Sequence, residues 1–167
     1  MITIKLGDIT KEEIGAIVNA ANKGLRGGGG VDEAIHRAAG PSVMEECREI
    51  GRCNTGDAVI TGAGLLKAKN VIHAVGPVWR GGEKGEAGQL RSCYEKSFEV
   101  ALKNGIETIA LPAISTGVYG YPIEEAADIA LRTGKRFEDR FREIRYVCFS
   151  DRDFRIYKET LDRLSET

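Results

Sequence analysis

Asn19 and Asn22 close an apolar stretch, Val18-Asn19-Ala20-Ala21-Asn22, and Asp32 follows across a run of glycines from Gly27 to Gly30. Each amide side chain can donate and accept at once, which suits the hydroxyls of a ribose. Four consecutive glycines remove every side chain from a loop, so that backbone can approach a ligand closely. A helix is predicted from about Val31, and its amino end favours an anion, with Gly29, Gly30 and Val31 nearest to it. A glycine run alone reads equally well as a connector. With Asn22 before it and Asp32 after it, a ligand loop is the better reading.

Three further segments leave a predicted strand carrying polar or aromatic groups. Gly7-Asp8-Ile9-Thr10 offers a carboxylate for an exocyclic amine and adjacent backbone N–H groups for a ring nitrogen, although Asp8 or Thr10 could equally cap the next turn. Pro112 to Pro122, with Ser115, Thr116, Gly117, Val118 and Tyr119 at its centre, is a turn whose successive N–H groups can form an anion nest. Phe149 closes the last strand, where a ring can stack on a planar base; taken alone it reads as a core residue.

Two nucleotide fingerprints fail. G-x-G-x-x-G needs glycine at its sixth position, which is Asp32 counted from Gly27 and Glu33 counted from Gly28, so a nicotinamide dinucleotide site is disfavoured. The loop after Pro112 lacks the Gly-Lys-Ser/Thr ending of a triphosphate-binding loop. Cys47, Cys53, Cys93 and Cys148 contain no C-x-x-C pair, and His36 and His73 are the only histidines. A zinc site and a disulfide framework are therefore disfavoured, and free buried thiols in a cytoplasmic protein are expected. His73, inside an apolar strand, reads as a core residue with its polar atoms satisfied. His36, one turn beyond Asp32, is placed to support the glycine loop.

These residues need elements to hold them. Strands are predicted near 2–6, 16–20, 57–61, 70–75, 107–112 and 145–150, and helices near 31–39, 41–50, 88–104, 122–134 and 152–165, with a short helical turn at 10–14. Val71 to Val75 and Thr108 to Leu111 are short β-branched runs suited to buried strands. Strands alternate with helices, which predicts an α/β fold with a central, mostly parallel sheet and the first strand antiparallel at an edge. The segment 76–87 is expected to be an exposed loop. At 167 residues the chain fits one domain, 1–167, and its net charge of −1 carries no broad basic footprint. No apolar run approaches the ~18 residues of a membrane span.

Taken together, Gly-Asp-Ile-Thr at 7–10, Val-Asn-Ala-Ala-Asn at 18–22, Gly-Gly-Gly-Gly-Val-Asp at 27–32, Ala34 to Pro41, Gly56 to Thr61, His73 to Trp79 and Pro112 to Pro122 resemble the macrodomain family, and closely its MacroD-type branch. The similarity runs in the family's order from residue 2 to about 160. It implies a three-layer α/β/α fold with ADP-ribose across the carboxyl edge of the sheet. On that resemblance Asp8 and the Ile9 amide meet adenine, Phe149 packs on it, and Ser115 through Tyr119 with Gly29, Gly30 and Val31 cradle the diphosphate. Asn22, with Asn19 beside it, is assigned to the distal ribose, and Asp32 to hydrolysis.

The implied activity is that of a hydrolase acting at the distal ribose, on O-acetyl-ADP-ribose or on ADP-ribose ester-linked to Asp or Glu, with no cofactor. Its partners would be ADP-ribose, its O-acyl derivatives and ADP-ribosylated proteins. A non-catalytic ADP-ribose reader is the alternative; having both Asn22 and Asp32 argues against it. RNA or poly(ADP-ribose) binding is a third reading, carried only by the basic stretch Arg132, Lys135, Arg136, Arg140, Arg142 and Arg145. Glu33 stands where relatives often have glycine, and Phe149 lacks a hydroxyl that many carry, though stacking needs only the ring.

Overall fold

The computed structural model describes residues 1–166. Its strands are β1 Ile2–Leu6, β2 Ala16–Ala20, β3 Ala58–Gly62, β4 Asn70–Ala74, β5 Thr108–Leu111 and β6 Glu143–Cys148. Its α-helices are α1 Gly30–Ala39, α2 Pro41–Ile50, α3 Glu86–Lys103, α4 Ile123–Phe137 and α5 Asp151–Ser165, and the turn expected at 10–14 is a 3₁₀ turn at Ile9–Lys11. Local signals explain the boundaries. Gly40, at φ 78°, ends α1, and Pro41 opens α2. Ser150 caps α5 by accepting from the Asp153 amide.

The strands form one sheet in the order β1-β6-β5-β2-β4-β3. The first strand does lie at an edge, but it runs parallel to β6; the antiparallel strand is β3, at the opposite edge, paired with β4. The expectation of an antiparallel first strand is thereby corrected. The β3–β4 connection of Ala63 to Lys69 is too short for a parallel crossover, so it is β3 that is reversed.

Side chains alternate between two helical layers. Ala16 and Val18 of β2, Ile72 and Ala74 of β4, Ile109 and Leu111 of β5 and Tyr146 of β6 meet Leu90, Tyr94, Phe98, Leu131 and Tyr157 of α3, α4 and α5. Ile17, Val71, Ala110 and Val147 face the other way, toward Ile35 of α1, and α2 adds Val43 and Cys47 on that side. The result is a three-layer α/β/α sandwich. Burying each fully enclosed side chain such as Tyr94, Phe98 or Ile17 stabilises the fold by about 1.5–3 kcal/mol. Asn19 and His73 occupy the same face as Ile17 and Val71, so the sheet's alternation aims them at α1 and α2. Among the described residues no helix is long and apolar enough to cross a membrane, and all four cysteines are buried free thiols.

Candidate active site

The carboxyl ends of β1 and β6 are tied together by the Gly7 amide, which donates to the Cys148 carbonyl at 2.9 Å. This brings Asp8, Ile9 and Phe149 to one edge. Asp8 Oδ1 accepts from the Thr10 amide at 2.9 Å and from its hydroxyl at 2.7 Å. The capping reading of Asp8 thus holds for one oxygen, and the residue itself is exposed. Phe149 is 87% exposed, which corrects the core reading it invites when taken alone. A strand end places its ring outside both layers.

The segment Pro112 to Pro122 is braced from several sides. The Ile114 amide donates to the buried Tyr94 hydroxyl, which itself donates to the Pro112 carbonyl, both at 3.2 Å. The Tyr121 amide donates to Ser115 O and the Gly120 amide to Gly117 O, each at 2.9 Å. Ser115 sits at φ 69°, a left-handed conformation that costs a non-glycine residue about 1–3 kcal/mol. Among the described residues, the amides of Ser115, Gly117, Val118 and Tyr119 have no protein acceptor. Four unpaired N–H groups within five residues are what an anion nest, expected of this segment, would require. Val118, at its tip, is 98% exposed.

The segment 76–87 does more than the exposed loop expected of it. Residues 80–85 are exposed, but the Trp79 amide donates to Tyr119 O at 2.8 Å and its ring lies 4.7 Å from that of Tyr121. Glu86 is buried and accepts from the amides of Arg80, Gly82 and Lys84 at 2.6–3.0 Å. Burial alone would raise its pKa, but the backbone donors outweigh it and hold the carboxyl at about 2. Sequence reasoning missed this brace. A tryptophan and a helix-start glutamate flanking a glycine-rich loop were the available signal.

The glycine loop hangs on Asn22. Its Nδ2 donates to Gly27 O at 2.9 Å and its Oδ1 accepts from the Arg26 amide at 3.1 Å. One N–H and one lone pair remain for a ligand. α1 opens without a side-chain cap, so its first-turn amides stay unpaired. A Cβ at Gly28 would lie 3.5 Å from Asp32 Oδ2 and 3.6 Å from Asn22 Nδ2. That brings Asn22 and Asp32 to the same point of the loop. Glu33 points to solvent and pairs with Arg37.

Asp32 is buried, and its Oδ1 accepts from Asn19 Nδ2 at 2.8 Å and lies 3.3 Å from His36 Nε2. Burial pushes its carboxyl above the usual range, while the Asn19 donor and His36 pull it back. His36 thus supports this region as expected. Asn19, grouped by the sequence reading with the substrate-contacting residues, is fully buried behind Asp32 and supports it instead. Its position on β2 turns the side chain inward, beneath α1.

His73 is fully buried with both ring nitrogens engaged, to Asn19 Nδ2 at 3.1 Å and Thr61 Oγ1 at 3.0 Å. His36, Cys47 and His73 bring three potential metal-ligand atoms within 4.8 Å of one another. The hydrogen bonds disfavour an ion there. The Thr61 hydroxyl donates to Gly62 O at 2.8 Å, so His73 Nε2 must carry the proton it gives to Thr61 and offers no lone pair toward Cys47. Burial also pushes the Cys47 thiol up to about 11. Burial and the neighbouring His36 hold His73 at about 4, neutral near pH 7.

Arg132, Lys135 and Arg136 of the basic stretch line a second hollow with Arg91, and most of the stretch is paired. Arg132 pairs with Asp128, Arg136 with Glu95, Arg142 with Glu107 and Arg145 with Glu12 and Glu143, while Arg140 lies over the Phe137 ring.

Asp8 and Phe149, the nest, and the Asn22–Asp32 loop all lie at carboxyl ends of strands, where open α/β sheets bind ligands. Beside the nest, a hollow of about 520 Å³ is lined by Asn22, Lys23, Arg26, Thr55, Val78 and Tyr119 among others. The arrangement can hold a phosphate-bearing ligand along the edge and present a carboxylate at one end of it.

The sequence matches the Macro domain family over residues 18–130. It is 54% identical to a Citrobacter rodentium protein named O-acetyl-ADP-ribose deacetylase, across 93% of this chain and 92% of that one. Among solved structures, the Oceanobacillus iheyensis macrodomain with ADP superposes with a TM-score of 0.94 at 44% identity, covering 98% of this chain and 90% of that one. The Trypanosoma brucei macrodomain in complex with ADP-ribose gives a TM-score of 0.88 at 40% identity, covering 95% of this chain and 68% of that one. By sequence and by fold, this chain belongs to the Macro domain family.

Proposed function

We propose that this chain, as a single cytoplasmic macrodomain, binds ADP-ribose along the carboxyl edge of its sheet and hydrolyses esters at the distal ribose. The observation that carries this reading is the meeting of Asn22 and Asp32 at Gly28, one turn from the unpaired amides that open α1. In this reading Asp8, the Ile9 amide and Phe149 hold adenine. The amides of Ser115, Gly117, Val118 and Tyr119, with those of Gly29, Gly30 and Val31, hold the diphosphate. The free N–H and lone pair of Asn22 orient the ribose hydroxyls, and Thr116 braces the nest through its hydroxyl on Ala113 O.

Asp32 receives a proton from an attacking water. The water oxygen bonds to the ester carbonyl carbon, the bond from that carbon to the ribose oxygen breaks, and the proton ends on the departing ribose hydroxyl. A carboxyl raised by burial is better matched to this task than an ordinary one, because a base works best with a pKa near the working pH. Both O-acetyl-ADP-ribose and ADP-ribose ester-linked to Asp or Glu side chains fit the scheme. The relatives, one named O-acetyl-ADP-ribose deacetylase and one a macrodomain in complex with ADP-ribose, support it.

The test is ADP-ribose release from both substrates by wild type and Asp32→Ala, with ADP-ribose affinity measured by calorimetry. The variant should lose about 10²–10⁴-fold in rate and keep its affinity. Release at the wild-type rate would remove Asp32 from the chemistry. Binding without release from either substrate would make the chain a reader.

A further inference from the structure

Asp32 is backed by a hydrogen-bonded chain that crosses three strands. Thr61 on β3 donates its hydroxyl proton to Gly62 O at 2.8 Å. Its oxygen is therefore free to accept, and His73 Nε2–H on β4 reaches it at 3.0 Å. With that proton on Nε2, His73 Nδ1 presents a lone pair, which accepts from Asn19 Nδ2 on β2 at 3.1 Å. The second proton of the same amide goes to Asp32 Oδ1 at 2.8 Å. Each donor direction fixes the next, so the Thr61 hydroxyl settles which face of the Asn19 amide meets Asp32. All four side chains are buried.

Asn19 Oδ1 is left without a partner. A buried orphan carbonyl is an unfavourable thing to keep, and turning the amide over would put that oxygen against the carboxylate. The amide is held in the less satisfied orientation because His73 and Asp32 both require its N–H groups. Isolated polar groups on a buried sheet face are more cheaply replaced by apolar ones; this set instead ends on the carboxylate that meets the glycine loop at Gly28.

We infer that Thr61 and His73 are positioning residues for Asp32, setting through Asn19 the orientation in which its carboxylate works; the inference rests on the hydrolase reading above. The groups facing Asp32 are the Asn19 amide and, beyond it, His73 from the sheet, His36 on α1 and the Cys47 thiol from α2, while Glu33 and Arg37 pair with each other outside. Removing the Thr61 hydroxyl leaves His73 Nε2–H without an acceptor. The ring can then carry its proton on Nδ1 and turn Nε2 to the Cys47 thiol, 3.8 Å away. An Nδ1–H would oppose the Asn19 amide and drive it over, depriving the carboxylate of its donor.

Thr61→Val keeps the shape and removes the hydroxyl, and Thr61→Ser restores it. In steady-state ester hydrolysis, Thr61→Val should lower kcat about tenfold, as lost outer supports commonly do, with KM and ADP-ribose affinity near wild type and Thr61→Ser recovering most of the rate. An unchanged kcat in folded Thr61→Val, or kcat and affinity falling together with thermal stability, would overturn the inference. Should Thr61→Val fail to fold, ¹⁵N spectra of the wild-type His73 ring decide: a proton on Nε2 at neutral pH is required, and one on Nδ1 refutes the chain. If the wild type binds ADP-ribose but releases none, the hydrolase reading fails separately. The ¹³C titration of the Asp32 carboxyl then remains as the test, with a midpoint that must rise in Thr61→Val and return in Thr61→Ser.

Discussion

Two glycine-rich loops face the same cleft and are built on opposite terms. Pro112 to Pro122 is held by Tyr94 from below, Trp79 from the side and its own turn bonds, and it stores a left-handed Ser115. The loop from Asn22 to Gly30 is anchored in its first half, by the Asn22 side chain, the Cys53 amide on Lys23 O and the buried Leu25, whereas added Cβ atoms at Gly29 and Gly30 would meet nothing. The first has its amides aimed before any ligand arrives, which lowers the ordering cost of binding. The second is open at Gly29 and Gly30, and it leads from Asn22 to Asp32, the two residues assigned to chemistry. Binding strength should therefore depend most on the braced loop, and turnover on the sparse one.

The largest break in that comparison is predicted at Gly76. A Cβ there would overlap the Ser115 hydroxyl and lie 2.6 Å from Ile114 Cγ2. Ser115 and Ile114 are both buried and their backbone is braced, so relief requires their side chains to turn within a packed interior. Gly76→Ala should destabilise the fold by about 1–3 kcal/mol, the usual range for overpacking, and weaken ADP-ribose binding more than any single glycine change in the sparse loop. Chemical denaturation and calorimetry measure both. A stable variant with wild-type affinity would show that the nest is not preformed.

The strands and helices were legible because their signals are local: β-branched runs at 71–75 and 108–111, Pro41 after Gly40, Ser150 before α5. What failed was non-local. The direction of β1 depends on β6, more than a hundred residues away. Asn19 reads like Asn22, two asparagines in one motif, and only the pleat and the later arrival of α1 put one behind Asp32 and the other at the cleft. No sequence signal marks Ser115 as left-handed, since serine seldom adopts that conformation. His73 was legible as a satisfied core residue, but its partners Thr61 and Asn19 come from other strands.

A smaller effect sharpens the contrast from the sparse side. Gly29 has φ −87°, a backbone any residue can adopt, and its missing side chain leaves open space. Neither conformation nor packing demands glycine there, which leaves ligand approach as the reason for it. Gly29→Ala should keep wild-type stability within about 0.5 kcal/mol. Its ADP-ribose affinity should fall about tenfold, a loss of about 1.4 kcal/mol. Unchanged affinity would mean that the diphosphate relies on the Ser115–Tyr119 amides alone.

The smallest effect is expected where the braced loop is supported from outside. Glu86→Gln keeps the size of the side chain but replaces an ionised acceptor of three amides with a neutral one. The Trp79 amide that donates to Tyr119 O then sits on a looser segment, and ADP-ribose affinity should drop by a few-fold, less than for Gly29→Ala. The pH dependence separates this cause from a packing change. The folded carboxyl is held at about 2, below its ordinary 4.5, so the native state binds fewer protons than the unfolded one between these values. Its contribution to stability is present above about 4.5 and is lost as pH falls toward 2. Wild type should therefore be more stable than Glu86→Gln at neutral pH, with the gap closing as acid is added through that window. A gap that persists unchanged to pH 2 would place the brace in the Trp79–Tyr121 ring contact, not in the carboxylate.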